Sequence, residues 1–155
     1  AAAGAVTPAG TAEQDFLGGA ITLPAGFVRK GDIIRIRGTV FVVNKNSTDT
    51  LAVNVYVGTE VVAALAAENV AANDYADFEM DVVVRTNAVS GKLWGRGIKT
   101  DFAAEGSQVP VIAHTAEATE DTTVALPVKA TATWSVSHAN NDARLDRFEV
   151  SILRK

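Results

Sequence analysis

Between residues 26 and 44 the chain alternates with a period of two. Ile34, Ile36, Gly38, Val40 and Val42 fall on one side, and Ile33, Arg35, Arg37, Thr39, Phe41 and Val43 on the other. This spacing predicts a long strand with a wholly apolar core face. Its second face has two arginines in the middle and apolar residues at both ends, which would be costly to leave in water, so something is expected to cover parts of it.

The same period recurs down the chain. Leu51, Val53, Val55 and Val57 alternate with Ala52, Asn54 and Tyr56, and Gly58-Thr59 then stands where a two-residue type II′ hairpin turn takes glycine first. Glu60 to Leu65 is expected to return antiparallel. Residues 63–72 are rich in Ala, Leu and Glu, so a short helix there stays open as the lesser alternative to a strand. Phe78, Met80, Val82 and Val84 share one face of a third long strand, with Glu79, Asp81 and Arg85 on the other. Residues 92–100 predict a strand weakened by Gly95 and Gly97. Residues 101–121 predict a long connection with one short edge strand around Val109-Pro110-Val111-Ile112. Val128, Ala130, Ala132, Trp134 and Val136, then Phe148, Val150 and Ile152, supply the last two alternating runs.

About eight strands, no convincing long helix and polar loops predict an all-β protein, a two-sheet antiparallel β-sandwich and within that class a jelly roll. Residues 1–15, mostly Ala, Gly, Thr and Pro, are expected to form a flexible arm, because such side chains bury too little surface to offset ordering entropy. Residues 16–155 then form one domain, long enough to bury roughly two-thirds of the surface its unfolded chain exposes. The sole methionine is Met80, and the opening residues lack the basic stretch of a secretory signal, so the chain is expected to start at a processed, mature terminus.

Composition narrows the chemistry. The chain has no Cys, which removes disulfides, thiolate metal sites and cysteine nucleophiles. A net charge of −4 with both signs interspersed gives no electrostatic reason to expect nucleic acid or an anionic membrane as partner. No apolar run approaches a membrane helix in length. Ser135 or Ser137 with His138 and Asp142 has the residue types of a hydrolytic triad, but the flanking sequence offers no nucleophile elbow or oxyanion hole. His114 and His138 lie far apart in sequence, outside transition-metal spacing. Asp74, Asp77, Glu79 and Asp81 lack the glycine-centred spacing of a calcium loop, and an ion-paired outer face accounts for them better. No enzyme activity, cofactor or metal is therefore expected.

Arg29, Lys30, Arg35 and Arg37, with Arg144, Arg147, Arg154 and Lys155, would form one positive patch suited to an acidic protein surface if the first long strand and the last are neighbours. The alternative is a solvated face in which adjacent acids pair with them. Tyr56 points away from its valine neighbours and is expected at a subunit contact. The candidate contacts are Ile33, Phe41, Val43 and Tyr56, the cations Arg29, Arg35 and Arg37, and Val6 and Pro8 in the arm.

The order of several segments also resembles a known group. LPAGFVRKGDIIRIRGTVFVVN, LAVNVYVGTEVVA, DFEMDVVVRTNAVSGKLWGRG and EDTTVALPVKATATWSVSHANNDARLDRFEVSIL resemble tailed-bacteriophage virion proteins over about residues 23–153. The resemblance implies a non-enzymatic structural subunit of the jelly-roll or β-sandwich kind. The expected role is capsid decoration, or cement: a homo-oligomer, most simply a trimer, bound to the major capsid protein on the virion surface. A tail or head-fibre module that binds a host glycan is the alternative.

Overall fold

The computed structural model describes residues 11–100, 108–111 and 117–155. Among them are ten strands and no helix: β1 (Gln14–Leu23), β2 (Ile33–Asn44), β3 (Thr50–Val57), β4 (Glu60–Asn69), β5 (Tyr75–Thr86), β6 (Gly91–Thr100), β7 (Gln108–Val111), β8 (Ala118–Glu120), β9 (Leu126–Trp134) and β10 (Asp142–Leu153). They form two antiparallel sheets packed as a β-sandwich. One has the order β1-β9-β3-β4; the other has the order β10-β2-β5-β6, with β7 and β8 end to end along the free edge of β6. The expected β-sandwich is present, and within it β3–β4 and β5 to β8 each stay within one sheet.

The alternation seen in the sequence is the alternation that is buried. Ile34, Ile36, Val40 and Val42 of β2 face Leu51, Val53, Val55 and Val57 of β3 across the core, joined by Met80, Val82 and Val84 of β5 and by Val128 and Trp134 of β9, all fully buried. Residues 63–69 continue β4, although Ala and Leu would also have suited a helix: pairing with β3 satisfies their backbone, and tertiary packing overrides propensity.

Three irregularities set the phase of the edges. Asp146 has no partner on β2, since Leu145 opposes Val40 and Arg147 opposes Thr39, and this bulge shifts the inward positions of β10 from Ala143 and Leu145 to Phe148. In β1 the register breaks between Asp15 and Ala20, where Gly18 has a φ of 73° and Gly19 lies against Leu145 of β10. Gly58 turns β3 into β4 with a φ of 67°, and Glu120 of β8 accepts the Thr59 amide at 2.7 Å and its hydroxyl at 2.8 Å. That last contact ties a hairpin of one sheet to an edge strand of the other.

The expected arm boundary also moves. Gln14 and Asp15 belong to β1 rather than to a free segment, because their backbone pairs with Ala132 and Thr131. Residues 1–10, with Val6 and Pro8, lie outside the described residues, as does His114.

Candidate functional site

The outer face of the larger sheet carries most of the candidate contacts, and the strand registers arrange them in transverse rows. Leu153 opposes Ile33, Ile33 opposes Val83, and Val83 opposes Trp94, giving an apolar row across β10, β2, β5 and β6. The next row is Ser151, Arg35, Asp81 and Arg96, and the one after it Glu149, Arg37, Glu79 and Ile98. Arg147, Thr39 and Asp77 follow, and the far end is Arg144, Phe41 and Tyr75. Each row holds directly opposed side chains, the geometry in which cross-strand pairs interact.

The charged rows are closed on themselves. Arg35 donates to both oxygens of Asp81 at 2.7 and 2.9 Å, and Arg37 to both oxygens of Glu79 at 3.0 and 3.1 Å. Such forked pairs satisfy both partners in the plane of the sheet. The Asp81 carboxylate pushes the Arg35 guanidinium up, and the hydrogen bonds from Arg35 hold Asp81 below its ordinary carboxylate value. Thr39 donates to Asp77, which Arg147 also approaches at 3.5 Å. β2 and β10 are indeed neighbours, but adjacent acids neutralise most of the arginines, so they make a ladder of pairs rather than one continuous positive patch.

The ends of the face differ. Phe41 is half-buried beneath the Arg144 guanidinium, whose centre is 4.7 Å from the ring centroid, and Tyr75 beside it is 46% exposed. Val43, half-buried, ends the strand beyond Phe41. At the opposite end Leu153 is 39% exposed, while Ile33, Val83 and Trp94 are half-buried. The alternation in β5 already placed Val83 between Asp81 and Arg85, but only strand pairing aligns it with Ile33, Trp94 and Leu153. Near this end Arg29 offers its amide to Asp32 at 2.9 Å, and Arg154 bonds the same carboxylate.

Tyr56 lies elsewhere. It is on the outer face of the smaller sheet, so the sandwich separates it from Ile33, Phe41 and Val43. Its hydroxyl donates to the Glu13 carboxylate at 2.8 Å, and Asn54 Nδ2 and Thr131 Oγ1 reach the same group at 2.8 and 2.5 Å. Lys129 stands over the Tyr56 ring and bonds Asp15 at 2.8 Å. Burial pushes the Glu13 carboxyl up, but the hydrogen bonds from Thr131, Asn54 and Tyr56 and the Lys129 charge outweigh it and hold it below its ordinary value. The Tyr56 phenol is pushed up, first by burial and then by Glu13. Nothing in the spacing of Glu13 pointed to this strap, since its partners come from β3 and β9.

The triad residues are engaged otherwise. Ser135 Oγ accepts the Thr50 amide at 2.9 Å, and His138 Nδ1 accepts the Asn140 amide at 3.1 Å. No group of three or more metal-ligating side chains occurs among the described residues. What the geometry defines is a β-sandwich whose larger sheet presents an amphipathic outer face. Compared with family models, with curated proteins and with solved structures, the chain gives no match in any of the three.

Proposed function

We propose that this protein is a non-enzymatic structural subunit of a virus particle, a capsid decoration protein that binds the major capsid protein as a homotrimer and stabilises the shell. The observation that carries this reading is the outer face of the larger sheet: two apolar ends flank a ladder of charges that neutralise one another. Internal pairing leaves the face near neutral in its centre, which makes covering it less costly than covering unpaired charges, and its apolar ends gain by burial. The order of strand motifs that resembles tailed-bacteriophage virion proteins supports the choice of partner. The mechanism is mass action: a subunit that binds the assembled shell and not its separated parts shifts the balance toward the shell.

Co-sedimentation with capsids that lack the protein, paired with its mass by light scattering, tests the proposal. Saturable binding by a trimer is the expected result, and a monomer that ignores capsids would overturn it. Removing residues 1–10 leaves Glu13 and β1 in place, and is expected to weaken capsid binding while the melting temperature stays unchanged.

A further inference from the structure

Among the described residues, positive charge gathers on the larger sheet beside its apolar row. A cleft of about 540 Å³ opens where β2 begins and β5 and β10 end, and Lys30, Arg85, Lys92 and Lys155 line it together with Val83 and Glu117. Glu117 is engaged by Arg85 at 2.9 Å. Lys92 donates to the Thr119 hydroxyl, and Lys30, Lys92 and Lys155 have no carboxylate in ion-pair reach among the described residues. In the ladder above, by contrast, Arg35, Arg37 and Arg147 each face an acid. A chain of net charge −4 therefore gathers three lysine side chains without an ion-pair partner among the described residues at one end of one sheet.

We infer that this cleft and the row Leu153, Ile33, Val83 and Trp94 form one docking surface, which takes an acidic protein surface whose carboxylates enter the cleft while its apolar side chains cover the row. Val83 belongs to both, so a single partner meets both. The apolar half selects a protein over a nucleic acid, whose phosphates would use the lysines and leave the row in water.

This inference rests on the docking role proposed above, and the test separates the two. The full-length protein is titrated by calorimetry with a 20-residue acidic peptide that carries a glutamate cluster beside a leucine cluster and, separately, with a 20-nucleotide oligothymidine, at low and physiological salt. The same titrations use the double variants Lys30→Glu/Lys155→Glu and Lys30→Gln/Lys155→Gln, and the control Arg144→Glu/Arg147→Glu at the far end of the face. Saturable binding of the acidic peptide is expected, weakened at least about tenfold by either lysine pair and little by the control. Oligothymidine binding as tight as the acidic peptide, no binding of the acidic peptide, or equal loss in the control would each overturn the inference. Capsid co-sedimentation is run on the same variants. Parent protein that binds capsids, with lysine variants that bind equally, overturns the docking surface and leaves the decoration role standing; parent protein that ignores capsids removes that role, and the titrations then judge the cleft alone.

Discussion

Gly38 stands in the core face of β2, and the Phe78 ring fills the space above it. A β-carbon built there would lie 2.2 Å from the ring, closer than any real contact. Gly38→Ala is therefore expected to lower stability by about 1–3 kcal/mol, the usual cost of overpacking, read from urea unfolding midpoints. Adding Phe78→Leu should recover part of the loss; no recovery would show that the ring is not the obstacle. Glu13 is the second residue of this kind. Its carboxyl is held below its ordinary value, so the stability it contributes is present above that ordinary value and is lost as pH falls through the lowered one. The gap in melting temperature between the parent and Glu13→Gln should be fully open near neutral pH and close in acid. In the same variant the Tyr56 phenol should titrate nearer its ordinary value, followed by ultraviolet absorbance, because the Glu13 contribution is gone and only burial and the Asp15 charge still raise it.

At the scale of elements, bulges decide what period two cannot. Deleting Asp146 from β10 removes the unpaired residue and restores simple alternation from Ala143 to Ile152. The chain should fold with stability within about 1 kcal/mol of the parent, a small effect because the lost Arg144–Asp146 pair is largely exposed. Deleting Arg37 from β2 is the contrasting case. No bulge absorbs it, and the residues on one side of the gap would exchange faces, so this variant should fail to give soluble folded protein by circular dichroism. The sequence made β2, β3 and β5 legible down to the buried residue, since each keeps one phase from end to end. β1 and β10 were less legible because each changes phase midway. β4 was ambiguous because Ala suits either structure until a partner strand is present.

At the scale of the whole molecule, some described side chains tie one sheet to the other outside the core. The Glu120 carboxylate is one, and Glu120→Ala should speed hydrogen exchange at the Thr59 amide while amides of β2 and β5 stay protected. Unchanged exchange at Thr59 would show that the turn is held by its own geometry. The outer face was partly readable in advance. Ile33, Arg35, Arg37, Phe41 and Val43 do share it, and the acids expected as their neighbours are there. Tyr56 was placed with them only because its strand has an outer side too; nothing local says which sheet a strand joins.

The sequence by itself determined the class of structure, the inward face of each regular strand and which charged residues the outer faces carry, because side-chain alternation is a local property of extended backbone. Tertiary structure alone decided the strand order, the rows that run across four strands and the gathering of Lys30, Lys92 and Lys155 around one cleft. Those depend on which distant segments share hydrogen bonds, and backbone pairing is blind to side-chain identity until the core selects among the registers.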